Sequence, residues 1–329
     1  MIYLHKRVSL ALGSVCILLL CFTITAAVRF VQSEQQQLPQ TSVSKPSQYR
    51  LVLITRDLGT PFWEKVGSGA RQQAQQNAAT LEVWGSYGED KDDFLKQIEI
   101  AIDSKMDGII VQGLDNDAFK ELTKVKSAFY GIPIITVASD VPMDESLRKT
   151  YVGSDPVMAG RTIVRQMIRD MGNEGTVVLM GNNQKEYDQK QRLAGIMEVL
   201  HAYPRIQPQY VETPEQKEKV IAATQDIMNR HPNVNAFISM DANLISAMIQ
   251  EISRRSQIEP YYMYSFDDHP DVLPLLRKGK LDAIIEQSPE SMGKTSVEMM
   301  IRWLEGKNIP LDTTGSFTDI RVLKAEDVQ

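Results

Sequence analysis

Cysteine is nearly absent from this chain. Of its 329 residues only Cys16 and Cys21 carry a thiol, and both lie in one apolar stretch near the start, so the fold beyond it rests on burial without a disulfide. Histidine is scarce too. His5, His201, His231 and His269 have no second histidine or cysteine at metal-ligand spacing, and neither a metal nor a cofactor is expected. There is no phosphate-cradling Gly-Lys-Ser/Thr loop, and Gly67-Ser68-Gly69 falls inside a helical stretch, where small residues suit close packing. The glycine-flanked serine of a hydrolase elbow is also missing. Charge of neither sign dominates: 36 basic residues against 42 acidic ones give a formal charge of −6, spread along the chain. That distribution excludes a nucleic-acid face. The absences together leave no catalytic constellation, and no enzyme is expected.

What is present begins with an N-terminal segment of separate character. After His5-Lys6-Arg7, residues 8–28 are uncharged and mostly apolar, and Arg29 ends the run. About 20 such residues span hydrocarbon as a helix, whereas a cleaved signal has an apolar core of about 7–15. The reading is an uncleaved transmembrane anchor within residues 1–31, with the positive flank cytoplasmic and the remainder extracytoplasmic. A signal cleaved after Thr25-Ala26-Ala27 and a lipid-modified Cys21 are the alternatives, and cleavage leaves a secreted or periplasmic protein. Residues 32–48 are rich in Gln, Ser and Pro and read as a stalk.

From Tyr49 onward, apolar runs of strand length alternate with amphipathic helical stretches, the pattern of α/β parallel sheets. Strands are expected at residues 50–55, 81–85, 108–112 and 133–137, then at 176–180, 206–211, 236–239, 261–265 and 283–286. The two series share a layout, which predicts two Rossmann-like, doubly wound lobes facing one another across a cleft suited to closing on a small ligand.

The chemistry-bearing residues gather where strands end. Gly59-Thr60-Pro61-Phe62-Trp63 follows the first strand, with Thr60 expected to cap the helix that Pro61 opens. Gln112 ends the third strand and Asp140 follows the fourth. Asp241 follows Ala236-Phe237-Ile238-Ser239, Phe266 and Asp267 follow the next strand, and Gln287 ends the last. Arg192 sits early in the helix after Asn182-Asn183. In open α/β sheets this rim is where ligands bind. Aromatic planes cover the C–H face of a sugar ring, while carboxylate, guanidinium and amide groups satisfy its hydroxyls, so the set suits a monosaccharide or polyol. Each residue has a structural alternative: Phe62 and Trp63 as core, Arg192 paired with Glu186 or Asp188, and Asp241 as the N-cap of the helix starting Ala242-Asn243. Asp115-Asn116-Asp117 lacks the glycine and glutamate of a calcium loop and reads as a helix cap.

In order along the chain, Thr60-Pro61-Phe62-Trp63, Pro133-Ile134-Ile135-Thr136-Val137, Arg192-Leu193-Ala194-Gly195, Ser265-Phe266-Asp267 and Ile284-Ile285-Glu286-Gln287-Ser288-Pro289 are similar to motifs of the ribose- and galactose-type periplasmic sugar-binding proteins. That fold is shared with the effector domains of lac-repressor-like regulators. The resemblance implies a first lobe of residues 49–154 with 288–312 and a second of 155–287 with 313–329. Three hinge crossings would join them, near Ser154-Asp155, Gln287-Ser288 and Thr313–Gly315. It also implies ligand contacts from Phe62, Arg192, Asp267 and Gln287. Thr60 stands where the family often has Asn, Met240 where Asn is usual, and Ala138 where an Asp often follows the fourth strand, with Asp140 as its stand-in. The expected function is an extracytoplasmic receptor that closes on its ligand and signals to a membrane histidine kinase or delivers to an ABC permease. The alternative is an exported carbohydrate-active enzyme, which would need paired carboxylates across the cleft.

Overall fold

The computed structural model describes residues 48–87, 91–182, 187–255, 261–266, 272–307 and 309–328. The expected anchor at residues 8–28 and Asp267 lie outside them. Among the described residues no helix is long and apolar enough to cross a membrane.

The first series runs β1 (Tyr49–Thr55), α1 (Pro61–Gln76), β2 (Ala79–Gly85), α2 (Lys91–Asp103), β3 (Gly108–Gln112), α3 (Asp117–Glu121), a π-helical turn at Leu122–Lys126, α4 (Ser127–Phe129), β4 (Ile134–Val137), α5 (Met143–Ser146) and β5 (Tyr151–Gly153). The second runs α6 (Pro156–Met171), β6 (Gly175–Asn182), α7 (Tyr187–Leu200), β7 (Ile206–Thr213), α8 (Lys217–Arg230), β8 (Val234–Ser239), α9 (Ala242–Arg255), β9 (Tyr262–Phe266), α10 (Val272–Arg277) and β10 (Ala283–Gln287). The chain ends in α11 (Pro289–Leu304), β11 (Ser316–Phe317) and β12 (Ile320–Leu323). Two six-stranded sheets result, in the orders β11-β5-β4-β3-β1-β2 and β12-β10-β9-β8-β6-β7. Every pair is parallel except β10 with β12.

Parallel strands covered on both faces must be apolar on both, which is why β1 and β3 read as unbroken hydrophobic runs. Leu51, Leu53 and Ile110 pack against Val66 and Ala70 of α1 and Met292 and Met300 of α11. The alternate residues Val52, Ile54, Ile109 and Val111 pack against Phe94, Ile98 and Ile102 of α2. The second sheet repeats the arrangement, with Val178, Phe237 and Ile284 toward α8 and α9 and Val177, Leu179, Ile238 and Ile285 toward α6 and α7. The result is two helix–sheet–helix lobes.

Gly69 of α1 and Gly293 of α11 let two backbones touch. A β-carbon at Gly69 would collide with the Glu290 carbonyl oxygen, and one at Gly293 with that of Val66. The glycines of this helix therefore serve packing, as their position suggested. Asn116 caps α3, its side chain accepting from Phe119 N at 2.8 Å. Thr60 holds the N-cap position of α1 in extended conformation, but its hydroxyl donates backward to Asp57 O at 3.1 Å and makes no bond to the helix. The expected hydroxyl cap is thus corrected to a loop-closing bond.

Among the described residues the chain passes between lobes after β5, after β10 and between β11 and β12. Ser316–Phe317, expected in the second lobe, pair instead with Val152 and Gly153 in the first sheet. Only Ile320–Leu323 joins the second sheet, antiparallel on β10. Two residues of strand are too few to carry a hydrophobic period, and the neighbouring strand decides their sheet.

Candidate functional site

The carboxyl ends of both sheets face one another, and side chains cross between them. Asp188 of α7 receives the backbone N–H of Asp140 on both carboxylate oxygens at 3.3 Å. Lys190 on the same helix reaches Asp115, at the end of the β3 side, at 3.3 Å. At the lobe crossings the Ser154 hydroxyl donates to Gln287 Oε1. Tyr151 ties β5 to this region, donating to Ala138 O at 3.1 Å and Ser154 O at 3.0 Å. Burial pushes its phenol well above the ordinary range, helped by the charges of Asp188 and Asp140. The phenol is therefore a donor in the neutral range.

The first-lobe wall is built by Gln112. Its Oε1 accepts from Thr55 Oγ1 at 2.9 Å and from Arg56 N at 2.8 Å, which occupies both lone pairs and pins the β1–α1 loop to the end of β3. Nε2 reaches Asp57 Oδ2 at 3.4 Å. Gln112 thereby fixes the loop that carries Thr60 and Phe62. Phe62 is half-buried and meets Trp63 edge-to-face, with centroids 5.6 Å apart. Trp63 is 5 % exposed and lies in the core with Leu51, Val66 and Ala70. Its place behind Phe62 is the core role weighed for it: on the first helical turn, Trp63 packs with the sheet face that α1 covers.

The Asp140 side chain is bonded within its own lobe. Its carboxylate is 6 % exposed, takes both Nε and Nη2 of Arg148 at 2.6 Å, and accepts from Thr136 Oγ1 at 2.6 Å. Arg148 further donates to Val141 O and Thr313 O. Burial pushes the Asp140 carboxyl up, and Arg148 offsets part of that rise. The group is an internal brace whose charge is spoken for by a bidentate guanidinium. No local sequence signal marks this pairing, since Asp and Arg eight residues apart across a turn have no period.

The second-lobe wall is a connected polar array. Asp241 Oδ2 accepts from Asn182 Nδ2 at 2.9 Å and Gln189 Nε2 at 3.2 Å, and Oδ1 accepts from Asn243 N at 2.9 Å. Asp241 thus takes the N-terminal position of α9 weighed for it, and its other oxygen joins a polar network with Asn182 and Gln189. Glu215 extends the array, accepting from Asn182 and Asn243 at 3.0 and 3.2 Å. Arg192 donates Nη1 to Met240 O at 3.0 Å and lies 4.7 Å above the Phe266 ring centroid. Phe266 is 1 % exposed, so it acts as a platform for the guanidinium. Asn182, Gln189, Asp188 and Glu215 were missed by sequence reasoning. Asp188 and Gln189 share the helix face of Arg192 by three- and four-residue spacing, which is the signal that was available.

A bilobal α/β fold with polar arrays at the carboxyl ends of two facing sheets defines the class of periplasmic binding proteins. The chain belongs to that family: the model described as periplasmic binding protein domain matches residues 51–308. Within it the relatives are of the ribose- and galactose-type sugar-binding group. The ribose import binding protein RbsB of Bacillus subtilis is 22% identical over 298 residues, covering 90% of this chain and 94% of that one. A putative rhizopine-binding protein of Rhizobium meliloti is 23% identical, with 75% and 83% covered. Among solved structures, GanP, a glucose-galactose binding protein from Geobacillus stearothermophilus, superposes with a TM-score of 0.78 at 26% identity, covering 85% of this chain and 98% of its own. A structure titled XylFII-LytSN complex gives 0.72 at 26% identity, with 85% and 99% covered.

Proposed function

We propose that the protein is a membrane-tethered extracytoplasmic receptor that closes on a monosaccharide or polyol and reports the closed state to a membrane partner. The observation that carries this reading is the Arg192 guanidinium stacked on Phe266 and anchored to Met240 O, beside the Asp241–Asn182–Gln189 array. A planar donor held rigid by an aromatic face and a carbonyl is organised to meet neighbouring hydroxyls, and Phe62 offers an apolar face from the other lobe. Asp267 and Gln287 complete the proposed contact set, with Thr60 and Gln112 holding the loop and Trp63 supporting Phe62. Hinge motion would run through the segments around Ser154, Ser288 and residues 318–319.

The apolar segment 8–28 is the proposed anchor. A tethered receptor suits signalling to a sensor kinase, and the complex named in one structural neighbour's title supports that kind of partner. The import role named for the Bacillus subtilis relative supports an ABC permease as the other receiver. A kinase–regulator gene pair beside this one is the expected outcome; a permease and ATPase alone would assign it to uptake.

The test is thermal shift of the full chain across pentoses, hexoses, inositols and amino-substituted polyols. At least one is expected to stabilise the wild type, by about 2.7 kcal/mol at a hundredfold excess over Kd, and none the Arg192→Ala variant. A folded sample that no sugar or polyol stabilises would overturn the reading.

A further inference from the structure

The end of the first lobe opposite the cleft carries an exposed aromatic pair. Phe129 is 82 % exposed and Tyr130 49 %, and their rings meet edge-to-face with centroids 5.2 Å apart. Val125, one helical turn earlier, is 52 % exposed. Single apolar residues on a surface are ordinary, but a fully projecting phenylalanine braced by a tyrosine with valine behind it is a contiguous patch. The segment bearing it is held firmly: Tyr130 N donates to Lys126 O, Gly131 N to Ala128 O and Ile132 N to Ser127 O. On the same segment the Lys126 ammonium is paired with Glu99 and Asp103.

The position of the pair says what covers it. Parallel strands share one amino-terminal edge, and register places Leu51 beside Gly108 and Ile109 beside Ile134. The turn after Tyr130 leads into β4 at that edge, and the chain enters β1 at Tyr49 on the same edge. Residues 32–48, rich in Gln, Ser and Pro, separate β1 from the apolar run 8–28 in the sequence. On the anchored reading, seventeen residues give the tether a coil-like root-mean-square reach of about 20–25 Å, less than a domain's width. At such effective concentration a patch too weak to bind alone becomes occupied. Aromatic side chains at the headgroup level are the favoured residues of membrane interfaces.

We propose that Phe129 and Tyr130 insert into the headgroup layer of the bilayer to which the chain is anchored, holding the first lobe base-down with the cleft facing away. The proposal rests on the anchored reading above. The test uses the full chain in phosphatidylcholine vesicles, with Cys16 and Cys21 replaced by serine and an environment-sensitive fluorophore attached at Phe129→Cys. A control variant carries it at Tyr87→Cys, a 77 % exposed residue after the carboxyl end of β2. Emission from position 129 is expected to shift to the blue and to lose about half its intensity in vesicles of brominated phosphatidylcholine, with position 87 unaffected. Solvent-like emission at 129 while the chain floats with the vesicles overturns the proposal alone. A blue shift without bromine quenching also overturns it, assigning the patch to a protein partner or a second copy. A chain that fails to float with vesicles overturns both this and the anchored reading. Phe129→Ser with Tyr130→Ser is expected to abolish a depth signal read from Val125→Cys while leaving sugar-induced stabilisation intact.

Discussion

Arg148 is the residue on which the first-lobe rim depends. It neutralises Asp140 within a site where neither group reaches solvent, and removing one partner of a buried pair costs about 3–5 kcal/mol. Arg148→Ala is therefore expected to lose stability of that order by denaturant unfolding. The pH dependence has a definite sign. Burial raises the Asp140 carboxyl above its unfolded value, and without Arg148 the hydrogen bonds from Thr136 and the Val141 backbone are left to oppose that rise. A group raised on folding favours the folded state below its unfolded pKa and loses that contribution as pH rises through the folded value. The variant should thus recover part of its lost stability on acidification toward the carboxylate range, measured as a smaller gap to wild type at pH 4 than at pH 8 (about 1.4 kcal/mol per pKa unit of difference). A gap independent of pH would mean that Arg148 acts through packing.

At the scale of elements, the α1–α11 contact decides how the first lobe closes its core. These helices arrive from opposite ends of the sequence, and the contact exists because Gly69 and Gly293 have no β-carbon. Backbone cannot retreat as a flexible side chain can, so Gly293→Ala is an overpacking change, expected to cost about 1–3 kcal/mol. Alanine at Gly131, where a β-carbon meets nothing within 4 Å but φ is +69°, should cost less, near the ordinary penalty for left-handed backbone of about 1 kcal/mol. Paired urea curves would check the order, and equal losses would remove the argument from close approach. The edge-on aromatic pair at the end of α4 belongs to this scale as well. It adds little to the core and is free to serve a surface.

For the whole molecule, the cross-lobe contacts named above among the described residues are polar. The Lys190–Asp115 pair joins α7 to the first lobe with Lys190 more than half exposed, so its worth is that of a solvent-screened bridge, at most about 1 kcal/mol. Lys190→Ala is expected to weaken ligand affinity by no more than about fivefold, with less effect at high salt. Partial burial works to raise the Asp115 carboxyl, but Lys120 and Lys190 outweigh it and hold the group below its ordinary value. A depressed carboxylate contributes above its unfolded pKa and is lost only as pH falls through the folded one. The Lys190-dependent part of affinity should therefore be flat from pH 6 to 8, by isothermal titration, and a loss within that window would assign closure to another group. Weak polar latches leave ligand contacts to decide between open and closed lobes.

Local sequence determined the elements of this protein. Apolar runs bounded by turn residues specify strands such as 50–55 and 108–112, Pro61 and Pro289 open helices, and Asn116 caps one, because each depends on residues within a turn of one another. Strand ends in turn mark the rim, which is why Arg192, Asp241 and Phe266 were legible as rim residues. Only the tertiary structure decided which of the rim residues are committed elsewhere. Asp140 is consumed by Arg148, Trp63 by the core, and Gln112 by its own loop, while Asp188 and Asn182 enter the site. The physical reason is that a carboxylate or amide has a fixed number of bonding sites, and which partners fill them is set by chains brought together from tens of residues away.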